Sequence, residues 1–60
     1  MDNRTLTCDQ ARELQFQIRE NLRFYEDTGN LEYLENAYRH TTELRLLLGN
    51  RVAVEKRNLQ

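Results

Sequence analysis

The sequence predicts an all-α fold: an antiparallel two-helix hairpin that dimerises into a four-helix bundle. Three observations carry this expectation. Asp27-Thr28-Gly29-Asn30 is a turn signal between two long stretches of helix-forming residues. Apolar side chains recur at helical spacing on both sides of that turn. The chain has 60 residues, 38% of them hydrophobic, and its apolar stripes exceed what one pair of helices can cover. Chains of this size bury only about 60% of the surface their unfolded form exposes. They hold together through disulfides, a metal, oligomerisation or very good helix packing.

Helix 1 is expected over about residues 8–27. Thr7-Cys8-Asp9-Gln10 reads as a capping box, with the Thr7 hydroxyl accepting from the Gln10 N–H and the Gln10 side chain reaching back. Asp9 then sits in the first turn, where the helix dipole favours a negative charge. Ala11, Leu14, Ile18, Leu22 and Tyr25 fall on one stripe at about 100° per residue. Phe16 and Phe24 lie off that stripe. The turn occupies residues 28–30, with Gly29 as the left-handed residue that ends helix 1.

Helix 2 is expected over about residues 31–48, capped by Asn30 with Glu32 in its first turn. Leu34, Ala37, Thr41, Leu44 and Leu48 form its main stripe, with Leu31 and Tyr38 on the edge. Leu46 and Leu47 point elsewhere. Gly49-Asn50 is a plausible stop, because it matches the two helices in length. Residues 49–60 are then a frayed or separately helical tail. A continuous helix 2 is the alternative, with Gly49 tolerated inside it at a cost of about 1 kcal/mol.

In an isolated hairpin each helix touches only one other, so no facing side chain is fully buried. Ordering the chain costs roughly 1.5 kcal/mol per residue. A symmetric pairing of two hairpins offsets that cost by covering the stripes. The expected core or dimer interface comprises Leu14, Ile18, Leu22 and Tyr25 of helix 1 with Leu34, Tyr38, Leu44, Leu47 and Leu48 of helix 2.

Composition limits the chemistry. Cys8 and His40 are each the single residue of their kind, so they build neither an intrachain disulfide nor a structural zinc site. No nucleophile and base can be assembled into a reaction centre, so no catalytic, cofactor-binding or metal-binding residue is assigned. Nine basic against ten acidic residues leave a net charge of -1, which disfavours a dedicated nucleic-acid binder. The opening Met1-Asp2-Asn3-Arg4 lacks a signal-peptide apolar region, and no apolar run reaches the ~20 residues of a membrane span. A cytoplasmic protein without membrane contact is expected, and a lone cysteine agrees.

The candidate partner-binding face is Arg12, Phe16, Arg19 and Arg23 on one flank of helix 1, with Phe24 nearby. Arginines interleaved with an aromatic form protein hot spots; they also track a phosphate backbone and stack on bases. The simplest structural role is a dimer flank, with the arginines paired to Glu32, Glu35 or Glu43 of helix 2. Cys8 reads as a small half-buried residue and His40 as part of a solvated face.

Helical-hairpin phosphatases of sporulating bacteria carry Ser-Gln-Glu-Leu-Asp on the second helix. Here the nearest segment is Thr41-Thr42-Glu43-Leu44-Arg45, with arginine in place of the needed aspartate, and that carry-over is rejected. In size, helicity, arginine bias and lack of motif, the whole chain resembles the small accessory proteins of lambdoid phage early operons. That resemblance implies a cytosolic protein that binds and modulates a host or phage factor, often as an oligomer, and it transfers no functional residue. The function expected from the sequence is therefore a non-enzymatic interaction protein, a homodimer that binds another protein. The alternative is a nucleic-acid-binding module using the arginine face of helix 1.

Overall fold

A computed structural model of the chain describes residues 3–59. Met1 and Asp2 of the opening segment and Gln60 of the tail lie outside the described residues. The molecule is a hairpin of two α-helices, α1 (Asn3–Thr28) and α2 (Leu31–Asn58). It measures 49 × 19 × 11 Å with a radius of gyration of 14.4 Å, against about 10 Å for a compact domain of this length. The hairpin is thus a slab one helix thick.

The turn forms as its residues dictate. Gly29 adopts φ 70, a left-handed conformation, and its N–H donates to the Tyr25 carbonyl at 2.7 Å, closing α1. Asn30 follows in extended conformation and caps α2, its side-chain oxygen accepting from the Glu32 N–H at 3.0 Å. Glu32 stands in the first turn of α2 and Lys56 and Arg57 in the last, all three with the sign the helix dipole favours.

Both helices run longer than expected at the open end of the hairpin. The expected start at Cys8 is corrected to Asn3. Thr7 does not cap: its hydroxyl donates to the Asn3 carbonyl at 2.9 Å, a bond made inside a helix already under way. The stop at Gly49 is also corrected, because α2 passes through Gly49 to Asn58. Continuous helix is the arrangement weighed above as the alternative to a frayed tail.

The seam between the helices alternates four- and three-residue steps on both sides. On α1 it comprises Thr7, Ala11, Leu14, Ile18, Asn21 and Tyr25, and on α2 Tyr33, Ala37, His40, Leu44, Leu47 and Arg51, all buried or half-buried. This 3.5-residue period is that of a left-handed coiled coil. The α1 stripe matches the expectation at Ala11, Leu14, Ile18 and Tyr25. Leu22 stands at its edge, 40% exposed, and Asn21 takes its place. The α2 seam is rotated from the expected stripe. Ala37 and Leu44 are shared, but Thr41 and Leu48 are exposed and Leu34 is half-buried on the flank, while Tyr33, His40 and Leu47 face α1.

Alanines make the closest contacts. Ala37 is 3% exposed and Ala11 9% exposed, and these are the buried residues among those described. The register is marked by Asn36, whose side chain donates to Asn21 at 3.4 Å, and by Phe24 and Tyr33, whose ring centroids stand 5.3 Å apart. At the open end, Leu6 and Thr7 line a shallow groove of about 240 Å³ with Leu47, Arg51 and Val54. Arg51 is a seam residue through its stem, and its guanidinium donates to Glu55 Oε1 at 2.7 and 3.1 Å.

Candidate functional site

The structure separates the sequence-predicted site residues into three places. Leu14, Ile18, Tyr25, Leu44 and Leu47 pack half-buried between α1 and α2. Leu22, Leu34, Tyr38 and Leu48 lie outside the seam; Tyr38 is 76% and Leu48 42% exposed, and Leu34 is half-buried. Arg12, Phe16, Arg19 and Arg23 form the third group, on the side of α1 turned away from α2.

That third group is a helical strip. The residues follow at i, i+4, i+7 and i+11, within roughly 60° of arc, and Phe16 points almost directly opposite the seam. Phe16 is 46% exposed although no second element covers it. It lines a dent of about 430 Å³ together with Arg12, Gln15 and Arg19. Phe24 sits on a different flank of α1, stacked on Tyr33 and still 46% exposed.

The arginines are not paired to α2. Arg12 Nη1 donates to Asp9 Oδ1 at 3.2 Å, and Arg23 Nη1 stands 4.0 Å from Glu20 Oε2. Both arginine side chains are more than 70% exposed, so these ion pairs contribute little to stability. Within one chain the strip makes no pairing to Glu32, Glu35 or Glu43. Those carboxylates belong to α2, and the arginine strip points away from it. What remains is a row of guanidinium groups around an aromatic ring, with enough freedom to turn toward a partner's carboxylates or carbonyls.

Two further residues change place. Cys8 is exposed rather than half-buried. His40 is in the seam, not on a solvated face. Its side chain is 23% exposed, and Glu43 Oε2 is 3.6 Å from Nδ1. Nδ1 itself is sealed from solvent with no hydrogen-bond partner among the described residues. Sequence reasoning missed this position because periodicity of apolar residues does not register a histidine. The signal was its spacing, three residues from Ala37 and four from Leu44.

Among the described residues no group of three or more histidine, cysteine, aspartate or glutamate side chains is placed to hold a metal ion. Among the described residues no helix is long and apolar enough to cross a membrane. No protein-family model, curated protein or solved structure matches the chain.

Proposed function

We propose that this chain is a small non-enzymatic interaction protein of the cytoplasm. It self-associates through apolar surface left open by the hairpin and binds or modulates another protein through the outward strip of α1. It would act in the manner of the small phage-encoded regulators it resembles. The observation that carries the reading is Phe16: a large aromatic ring, 46% exposed, on the helix side farthest from α2, bordered by Arg12 and Arg19. An aromatic anchor among arginines is the composition of a protein hot spot. The strip contributes nothing to the hairpin's own packing, so the fold gives no reason for it.

The test uses immobilised chain to recover bound proteins, followed by titration with the purified partner. A Phe16→Ala/Arg19→Glu variant should retain its helicity and bind that partner at least about 100-fold more weakly, as loss of two hot-spot side chains does. Undiminished affinity would remove the strip from the partner site. Binding instead to a DNA or RNA fragment, with affinity falling steeply as salt rises, would favour the nucleic-acid alternative for Arg12, Arg19 and Arg23.

A further inference from the structure

The slab has two broad faces besides its edges, and they differ. The Asn21–Asn36 bond, Phe24 and the Leu6–Val54 groove mark one of them. Its middle is polar, with Gln10, Gln17, Glu43 and Asn50. The opposite face carries Leu22 from α1 among Cys8, Gln15 and Arg19, and Leu34, Thr41, Leu48 and Val52 from α2, with Tyr38 beside them. These residues lie roughly 60–140° from the seam in the other rotational sense. Of this set Leu22, Leu48 and Val52 are 40%, 42% and 51% exposed and Tyr38 76%. On α2 they form a second coiled-coil stripe: 34, 41 and 48 at one heptad position, and 31, 38, 45 and 52 at the other.

We infer that a second copy of this chain covers this face, lying antiparallel so that α2 packs on α2 of its partner and the two turns are at opposite ends. The inference rests on the self-association proposed above and names the face that performs it. Area accommodates an occupant of this size. A compact monomer of 7.3 kDa exposes about 4,200 Å². This hairpin exposes 5125 Å². The excess, roughly 900 Å², belongs to the open, elongated shape of the whole hairpin, and it leaves room for the ~800 Å² that each partner contributes to a standard interface.

The pattern of side chains selects a second copy and its direction. Leu34 and Val52, and likewise Tyr38 and Leu48, stand equally far from Glu43 along α2. A two-fold axis at that level therefore sets Leu34 on Val52 and Tyr38 on Leu48 of the other copy, apolar against apolar, with Arg45 meeting Thr41. Stacking with both turns at one end would lay the same α2 stripe over Cys8, Gln15, Arg19 and Leu22 of α1, and would pair its apolar residues beyond Leu22 with polar ones. In the antiparallel arrangement the axis crosses α1 at Gln15, the residue level with the middle of the stripe, so Gln15 of one copy faces Gln15 of the other.

Sedimentation equilibrium over a wide concentration range, joined to thiol cross-linking, tests this. The wild-type chain is expected to be a dimer, and Leu48→Glu to weaken it about 100-fold or more, since the charge enters the interface twice. In a Cys8→Ser background, Gln15→Cys should oxidise rapidly to a covalent dimer of unchanged helicity. Gln17→Cys, on the polar face, should oxidise far more slowly. A wild-type monomer would overturn self-association itself. A dimer indifferent to Leu48→Glu, or position 15 no faster than position 17, would overturn only this face and direction. If Leu48→Glu does not fold, the two thiol variants decide alone.

Discussion

Replacing His40 by leucine should stabilise the protein. The imidazole occupies a seam position between Ala37 and Leu44, with its side chain 23% exposed and Nδ1 sealed from solvent without a hydrogen-bond partner. An unsatisfied buried polar atom costs about 1–3 kcal/mol. A leucine fully buried in its place gains about 1.5–3 kcal/mol, reduced because the site is partly open and because the imidazole already buries some carbon. Discounting both terms leaves a net gain of about 1–2 kcal/mol from the principles just used. For a chain of this size that corresponds to a rise in Tm of roughly 5–15 °C. The assay is urea and thermal unfolding followed by helical circular dichroism, at one fixed chain concentration so that self-association, where it occurs, is held constant. A Glu43→Gln control separates the orphaned nitrogen from the nearby carboxylate 3.6 Å away. If His40→Leu leaves the urea midpoint unchanged or lowers it, Nδ1 is satisfied in solution and the seam assignment of the ring fails.

The two glycines provide opposite predictions. Gly49→Ala should raise stability by about 0.5–1 kcal/mol, because Gly49 is inside α2 and a Cβ there meets nothing within 4 Å. A fall in the unfolding midpoint would mean that the helix does not continue through Gly49. Gly29→Ala should lower stability by about 1–2 kcal/mol, because φ at Gly29 is +70, although no neighbouring atom blocks the added carbon. Equal midpoints for Gly29→Ala and the wild-type chain would place the turn elsewhere.

The part of the fold legible in the sequence is the part decided by local chemistry. Gly29 and Asn30 announce their roles because a left-handed residue and an N-cap are satisfied within a few residues of themselves. The α1 stripe was readable because α1 has one dominant row of apolar residues. On α2 there are two, and leucine density points to the wrong one. The row 34/41/48 is richer in leucine, yet the row that meets α1 contains Tyr33, His40 and Arg51. Two things fix that choice, and neither is a property of α2 alone. The short turn sets the angle at which α2 begins, placing Tyr33 against Phe24. Ala37 and Ala11 then let the backbones approach, and the ring of His40 and the stem of Arg51 fill the remaining space. The arginine strip of α1 was legible as a strip. Its freedom from α2 was not, because side-chain spacing along one helix does not say where the other helix lies.

The two missed helix ends have one cause. Taken separately, Thr7-Cys8-Asp9-Gln10 looks like a start and Gly49-Asn50 like a stop, each supported by its own local rule. In an antiparallel hairpin these two sites are neighbours. If α2 stopped at Gly49, the first turn and a half of α1 would have nothing to pack on, and helix formation there would be unfavourable. If α1 began at Cys8, Arg51 and Val54 would extend past it into water. When both continue, Leu6 and Thr7 lie against Leu47, Arg51 and Val54, and each extension gives the other an apolar surface. The cost of Gly49 inside a helix, about 1 kcal/mol, is then offset by contacts that neither segment makes alone. The extension also completes the second stripe of α2, since Val52 exists as a helix-face residue only beyond Gly49. A chain truncated after Gly49 should therefore lose helicity at both ends of its sequence, and should dimerise more weakly for want of Val52. Loss confined to the deleted residues would show that the two ends fold independently.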